Sequence, residues 1–400
     1  MMEGYLLKSF KRVIAFILSI VMVLSCAGCT TEKQAKTNAE IAATAAAKWL
    51  EKEINIYNLD TNWEIFAFAR SGYRELDAHM YTEYETNLEK ALSVTNSDIA
   101  TEDYPSVILT YTAIGKYAET SLGVNLLAGV SLNSSLDEQG VYSTFYALIV
   151  VDCAPYEFHE KGDVTRELLV QKIISWQNED GGFSSNGAGG SSDIRATAVA
   201  LQALSNYQAD GEVNAVIQNA LDYLENEQLP AGGYGSAGNV SIQETAQVII
   251  ALTELDISPD EFGNGKIIQD ILAYQNENGS FACTGETDYD ATLQALLALT
   301  AYNRFISGAT SLFDLTDVYG ITHNKLVGSM KVVSNIMFGL FGLIILFLVY
   351  VFIQSRIRIS KWRKEGIYNE ETKRMMTNEE AEEYHKRKNS EAIQEEKENE

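Results

Sequence analysis

The chain has 400 residues, a formal net charge of −25 and only four prolines. An acidic balance of this size argues against nucleic-acid binding, because that function needs lysines and arginines to replace counterions on phosphate. It fits an exposed domain that its charge keeps soluble. The scarcity of proline and of alternating β-branched runs favours helices over strands.

Residues 1–29 have the pattern of a secretory signal peptide. Basic residues precede the short apolar run Val13–Leu24, which ends among small residues, and this order is typical of an exported precursor. The small residues around Cys26 and Cys29 resemble the lipid-attachment box of bacterial lipoproteins, so both cysteines are candidate lipidation sites. Ordinary cleavage without a lipid is the alternative. Residues 30–38 then form a polar linker.

Residues 39–306 are predicted to contain twelve helices of two alternating kinds. Six are amphipathic with charged outer faces: Ile41–Tyr57, Met80–Val94, Glu119–Leu132, Val164–Gln177, Val213–Gln228 and Lys266–Gln275. Six are apolar nearly all round: Asn62–Arg70, Pro105–Lys116, Val141–Val151, Asp193–Asn206, Ile242–Leu255 and Tyr289–Tyr302. A helix that is apolar on every face must be buried, and one with a polar face lies outside. The alternation therefore predicts an all-α fold with one ring of helices inside another, an α6/α6 toroid.

The last three helix pairs repeat at a period of roughly 50 residues. In each pair a turn with glycines and one aromatic residue follows a glutamine and precedes an apolar helix. The glutamines are Gln177, Gln228 and Gln275, and the equivalent inner-helix threonines are Thr197, Thr245 and Thr292, with Thr144 upstream. A threonine in an apolar helix can donate to a carbonyl one turn earlier, so we expect these threonines to be buried.

A second long apolar segment lies near the C-terminus. Residues 307–331 are predicted to be a linker, and residues 332–354 contain the uncharged run Val332–Ile353, long enough to cross a bilayer as one helix. Five basic residues follow at once. Since positive charge stays on the cytoplasmic side, the sequence predicts a single-pass bacterial membrane protein with its toroid outside the cell. The charged tail, residues 355–400, is predicted to be cytoplasmic and mobile or partly helical.

The repeated turns carry a resemblance to a known superfamily. The pairs Gln177 with Phe183, Gln228 with Tyr234, and Gln275 with Phe281 resemble the glutamine–aromatic motif of terpenoid cyclases and protein prenyltransferases. Secreted bacterial proteins built from prenyltransferase and squalene-oxidase repeats are similar over Asn62–Gly72, Gln177–Phe183 and Glu244–Gln247. The toroid half of the cobalamin carriers is also similar, which implies a corrinoid as one possible ligand. One fold hosts several activities, so the resemblance implies the fold more strongly than the function.

The same resemblance supplies a test for catalysis. Class II cyclases protonate an alkene with an aspartate in a D-x-D-D-T-A motif at the start of an inner helix. Here the stretch Asp193–Ala198 keeps the first aspartate and the Thr-Ala, but Arg195 stands at the donor position and cannot donate a proton at neutral pH. Asp288 and Asp290, in the last repeat, are the remaining candidates for a catalytic acid. The alternative is a structural role: Asp288 caps the helix, and Asp290 lies in its first turn, where the helix dipole favours an acid.

A protein prenyltransferase would instead need Zn²⁺ held by aspartate, cysteine and histidine. Between the leader and the predicted membrane span the chain offers Cys153, Cys283, His79, His159 and His323 without ligand spacing, so the sequence predicts no metal and no cofactor. Cys153 ends an inner helix and Cys283 precedes one. We therefore expect the two thiols at opposite ends of the barrel, free or buried, with no disulfide between them.

The remaining candidate site is the barrel end at which the inner helices begin. The residues placed there are Asp193, Arg195, Gln243, Glu244, Asp288, Tyr289 and Asp290, with Trp63 and Tyr142 predicted to line the bore. Polar groups at one end of an apolar cavity are typical of a ligand site, although capping and solvation also account for them. The sequence favours a non-enzymatic, membrane-anchored toroid that binds a small molecule or a partner. A cyclase-like enzyme using Asp288 or Asp290, and a structural protein presenting its acidic face to cell-surface partners, are the alternatives.

Overall fold

The computed structural model describes residues 37–93, 103–119, 125–131, 136–156, 164–319 and 345–398. The chain divides into two units, Met1–Ile321 and Thr322–Glu400. The predicted signal peptide, with Cys26 and Cys29, lies outside the described residues, as do His159 and His323.

The described helices of the first unit are numbered in chain order. They are α1 (Asn38–Glu53), α2 (Asn62–Ser71), α3 (His79–Ser93), α4 (Tyr104–Ala113), α5 (Ala128–Ser131), α6 (Val141–Asp152), α7 (Arg166–Ser175), α8 (Ile194–Leu204), α9 (Gly211–Glu227), α10 (Ile242–Glu254), α11 (Ile267–Leu272) and α12 (Tyr289–Ser307). Short 3₁₀ turns occupy Leu59–Thr61, Leu136–Gln139 and Ser205–Tyr207. One small antiparallel hairpin joins β1 (Gly235–Ser236) to β2 (Asn239–Val240), with Gly235 opposite Val240.

The even-numbered helices form a closed inner ring. Each packs on the next, from α2 through α4, α6, α8 and α10 to α12, and α12 returns to α2. In α8 every residue from Ala196 to Leu204 is buried. The odd-numbered helices lie outside: α7 packs on α6, α9 on α8 and α11 on α10. Among them α9 buries only one stripe between Val213 and Leu224, so the predicted α/α toroid is confirmed.

Several outer helices, α5 and α11 among them, are shorter than the sequence predicts. α5 comprises Ala128–Ser131 where Glu119–Leu132 is predicted, and part of that predicted helix lies outside the described residues. α11 comprises Ile267–Leu272 where Lys266–Gln275 is predicted. The amides of residues 273–275 donate to carbonyls three residues earlier. The last turn of α11 is therefore tightened, a difference that amphipathic periodicity does not reveal.

A buried threonine anchors each repeated turn to its inner helix. The hydroxyl of Thr197 donates to the Asp193 carbonyl at 2.8 Å and accepts from the Phe183 amide at 2.9 Å. Thr245 and Thr292 make the same pair of bonds in their own repeats. The predicted bond to a carbonyl one turn earlier is thus confirmed at these positions. The sequence does not indicate the second bond, from the amide of the aromatic residue.

In two of the three turns the glutamine joins neighbouring outer helices. Gln177 donates to the carbonyl of Val216 in α9 at 2.7 Å, and Gln275 donates to the carbonyl of Ala42 in α1 at 3.0 Å. The second contact closes the outer ring between its last and first helices. Gly279 makes this approach possible: its φ is +97°, and a Cβ built there would lie 2.6 Å from the carbonyl oxygen of Ala45.

The residues after α12 pack onto the toroid, although the sequence predicts a linker over residues 307–331. Residues 309–319, the plug segment, cover the end of the inner ring at which the helices terminate. Arg70, at the end of α2 and 3% exposed, donates to three carbonyls of the plug segment and pairs with Asp317 at 2.8 Å. Leu312 and Leu315 are fully buried. A buried guanidinium must be paired and hydrogen-bonded, and the plug segment supplies those partners.

In the second unit, residues 345–364 are helical. The hairpin of β3 (Tyr368–Asn369) and β4 (Arg374–Met375) follows, and then helix α13 (Asn378–Glu398). Residues 332–344 of the predicted membrane span lie outside the described residues, and Ile345–Ile353 are helical and exposed. No helix within the described ranges is both long and apolar enough to cross a membrane. The charged tail is helical over α13, which agrees with the predicted alternative of a partly helical tail.

Replacing Thr245 by valine should destabilise the toroid more than replacing Thr253 by valine. Both threonines are buried, but Thr253 bonds only to carbonyls of its own helix. Thr245→Val leaves the buried amide of Tyr234 without an acceptor, which should cost about 1–3 kcal/mol of unfolding free energy. Denaturant unfolding of the two variants measures the difference. Equal losses would contradict the role given to the threonine.

Candidate functional site

The inner helices run in the same direction, as the contacts of the plug segment with the C-terminal ends of α2, α6 and α10 indicate. Arg70 at the end of α2 binds its carbonyls. The Cys153 carbonyl, after α6, accepts from the Leu315 amide at 2.7 Å, and Glu254, at the end of α10, accepts from the Phe313 amide at 3.0 Å. The N-terminal turns of the inner helices therefore lie together at the other end. We call this end the mouth.

The first cluster of the mouth joins α6, α8 and α10. The guanidinium carbon of Arg195 lies 5.4 Å from the centre of the Tyr142 ring, which is a cation–π distance. Glu244 lies beside them, and its Oε2 is buried without a hydrogen bond from the described residues. Burial raises the pKa of Glu244; the charge of Asp193 raises it further and that of Arg195 opposes the shift. Burial also raises the pKa of Tyr142 to about 12.

The second cluster joins α2 and α12. The Tyr289 hydroxyl donates to Oε1 of Glu64 at 2.9 Å, and its ring lies 6.1 Å from that of Trp49. Glu64 is only 6% exposed. Burial raises the pKa of Glu64, the hydrogen bond from Tyr289 opposes that shift, and the negative charge of Asp290 adds to it. This carboxyl therefore keeps its proton to a higher pH than an exposed glutamate does.

Two further sets of side-chain contacts join the inner helices, one between aromatic rings and one between amides. The ring of Trp63 lies 5.5 Å from that of Tyr146. Gln202 donates to Oε1 of Gln247 at 2.9 Å, and Gln247 donates to Oε1 of Gln294 at 2.7 Å. This glutamine ladder links α8, α10 and α12 in a chain of side-chain amides.

Two of the predicted site residues cap helices. Oδ1 of Asp193 accepts from the Ala196 amide at 2.7 Å, and Oδ1 of Asp288 accepts from the Ala291 amide at 2.9 Å. These bonds are the capping role that the sequence offered as the alternative. Asp290 lies in the first turn of α12, and Gln243 is half-buried beside Glu244 in α10. The structure thus groups Arg195, Tyr142 and Glu244 in one cluster and Tyr289 and Asp290 in another.

Sequence reasoning missed Glu64 and the glutamine ladder. Glu64 is an acid within an otherwise apolar helix, and that incongruity is the signal that would have found it. Gln247 and Gln294 each lie two residues after the repeated threonine, so the same alignment that found the threonines would have found this pair. Gln202 lies elsewhere in its repeat and carries no such signal.

The prenyltransferase zinc site has no counterpart among the residues that the structure describes. Within those ranges no three aspartate, glutamate, cysteine or histidine side chains are grouped to hold a metal ion. Cys153 is buried, and burial raises the pKa of its thiol well above the usual range. Cys283 is exposed, and its Sγ lies 3.3 Å from the carbonyl oxygen of Val240.

The sequence model of the prenyltransferase alpha-alpha toroid domain family matches residues 91–244 and 214–323, more than half of the chain. The chain belongs to this family. Among solved structures, a variant of the type II terpene cyclase MstE from Scytonema in complex with its substrate geranylgeranyl dihydroxybenzoate is 12% identical, with a TM-score of 0.50. The match covers 70% of this toroid protein and 98% of that chain. The apo form of the same cyclase is also 12% identical, covering 67% and 98%, with a TM-score of 0.48. At this identity the likeness shows the fold alone. No curated protein matches the chain.

The raised pKa of Glu64 predicts how its variant responds to pH. A carboxyl that holds its proton more tightly when folded releases it on unfolding, so its contribution to stability falls as pH rises from about 4.3 through the folded-state pKa. Glu64→Gln has no proton to lose. Its melting temperature relative to the unmodified chain should therefore rise between pH 4.5 and pH 7.5. Glu227→Gln, on the exposed face of α9, is the control for removing a surface charge. A Glu64→Gln difference that does not change with pH would contradict the assignment.

Proposed function

We propose that this toroid protein binds a small molecule at its mouth and does not chemically transform it. The observation that carries the proposal is the first cluster: Arg195 stacked on Tyr142 beside the buried, unpartnered oxygen of Glu244. A buried polar atom without a partner costs free energy unless another group satisfies it. A ligand with a hydrogen-bond donor supplies that group.

The cluster suggests which chemistry the ligand presents. Glu244 calls for a donor, such as an amide or a hydroxyl, because its free oxygen can only accept while the carboxyl is ionised. Arg195 offers five donors and a flat face to an anion, a carbonyl or a π system. A corrinoid, the ligand implied by the similarity to the cobalamin carriers, is one candidate.

The residue at the cyclase donor position supports a binding role over catalysis. That position holds Arg195, whose guanidinium keeps its proton at any physiological pH. Asp288, one of the two remaining acids, holds the N-terminus of α12 through its carboxylate. Neither residue is placed to protonate an alkene.

We further propose that the protein is anchored in the bacterial cell membrane. The support is the sequence: residues 332–353 carry no charge and are followed by five basic residues, the pattern of a span whose C-terminal side is cytoplasmic. The apolar side chains of Ile345–Ile353 are exposed. In this arrangement the toroid lies outside the cell and residues 355–400 lie inside.

One observation favours a cyclase-like enzyme as the second candidate. Glu64 is a buried carboxyl with a raised pKa next to Asp290, and a protonated carboxyl held by burial and a neighbouring acid is what acid catalysis of this kind uses. Trp63, Trp49 and Tyr289 lie close to this carboxyl in sequence or in space. Such rings stabilise a nearby cation.

Arg195→Ala should abolish binding at the mouth. Native mass spectrometry of the full-length chain from its own host should show an adduct of fixed mass that Arg195→Ala loses by at least tenfold. Arg74→Ala is the matched control, because Arg74 also stacks on a tyrosine, Tyr73, at 4.7 Å but away from the mouth. Spectral titration with cobinamide and cobalamin tests the corrinoid directly. An adduct that Arg195→Ala retains would contradict the proposal.

A turnover assay tests whether the protein is a cyclase-like enzyme. Purified full-length chain is incubated with geranylgeranyl dihydroxybenzoate, the substrate of the Scytonema cyclase. Turnover that Glu64→Gln or Asp290→Asn abolishes would establish the second candidate in place of the first. If the first candidate is correct, the compound is recovered unchanged.

A further inference from the structure

A cavity lies at the end of the inner ring that the plug segment covers. Its volume is about 410 Å³, which is within the range of small-molecule sites. The ends of α6, α8 and α10 line it together with the plug segment. Its lining residues include Ile149, Gln202, Ala203, Glu254, Phe313 and Asp314. None of them belongs to the two clusters at the mouth, so this cavity is a separate site. We call it the chamber.

Most acceptors in the chamber wall are already used. Glu254 accepts from the Ser311 hydroxyl at 2.6 Å and from the Phe313 amide at 3.0 Å. Asp152 accepts from Arg166 at 2.8 Å and from the Tyr207 hydroxyl at 2.7 Å. The protein itself therefore satisfies both of these carboxylates.

Acceptors on Gln202 and Asp314 remain available. Gln202 is 3% exposed, and its Oε1 is buried without a hydrogen bond from any described residue, although its amide nitrogen donates to Gln247. Asp314 uses Oδ1 to accept from the amide and hydroxyl of Thr316, which leaves Oδ2. A buried amide oxygen with no partner is costly, and here it belongs to a residue that lines a cavity.

The charge of the chamber has one sign. None of its lining residues is a lysine, arginine or histidine. Asp152 is ion-paired with Arg166 at 2.8 Å, whereas Asp314 has no ion pair within the described residues. The rest of the wall includes the apolar side chains of Ile149, Ala203 and Phe313. An occupant must therefore donate hydrogen bonds, and a positive charge on it would be matched by Asp314.

We propose that the chamber binds a small organic cation, a protonated amine with a short apolar body. The ammonium group donates to the carboxylate of Asp314 and to Oε1 of Gln202, and the body packs against Ile149, Ala203 and Phe313. Ammonium groups have three donors and no acceptor, which suits the free acceptors of Gln202 and Asp314. The carboxylate makes these hydrogen bonds charge-assisted and stronger than neutral ones.

Calorimetric titration of the full-length chain with butylammonium chloride at pH 7 tests this site. The amine is charged at this pH, and 1-butanol and butyrate present a similar short chain without positive charge. Saturable binding of one butylammonium per chain is expected, with 1-butanol at least tenfold weaker and butyrate not bound. Binding of 1-butanol as tight as that of butylammonium, or no binding of butylammonium, would overturn the proposal.

A pair of charge variants locates the site. Asp314→Asn should weaken butylammonium binding at least tenfold, because it removes the unpaired carboxylate. Asp222→Asn removes one negative charge from the exposed face of α9 and should leave the affinity unchanged. If both variants bind butylammonium as the unmodified chain does, the cation lies elsewhere and the assignment fails.

Discussion

The repeated bond between a buried threonine hydroxyl and the amide of an aromatic residue is the constraint on which the toroid depends. In three successive repeats, Thr197, Thr245 and Thr292 accept that amide at 2.9 Å. The same hydroxyl donates back into its own helix, so a single side chain satisfies a turn amide and a helix carbonyl. An unpaired buried amide would cost about 1–3 kcal/mol in each repeat. The bond therefore fixes where each inner helix starts relative to the outer helix before it.

The mouth follows from that fixed start. Two residues before the threonine, the three repeats carry Arg195, Gln243 and Asp290, and Glu244 immediately precedes Thr245. Equivalent backbone positions in the three repeats thus carry a cation, an amide and an acid at the mouth. Chemistry can change at these positions without changing the fold, because the turn takes its bonds from the threonine and the cap. Because the residues that hold the turn are not the residues that face the mouth, a cyclase that is 12% identical can share the architecture.

The sequence revealed the features that are local and periodic. Burial on all faces identified the inner helices, and the back-bonding threonines were expected from their place in apolar helices. Features that depend on distant partners were not accessible in this way. The plug segment is packed because Arg70, some 240 residues earlier, needs its carbonyls. Glu64 has a raised pKa because the folded toroid buries it and places Asp290 of α12 nearby, which no local pattern of α2 could indicate.

Hydrogen exchange at the amides of Phe183, Tyr234 and Phe281 tests the central claim most directly. These amides lie in glycine-containing turns, where exchange is ordinarily fast, yet each donates to a buried threonine. The account predicts that they exchange only when the toroid unfolds as a whole, at the same low rate as the amides in the middle of α8. Exchange as fast as that of the exposed turn amide at Gly238 would contradict it.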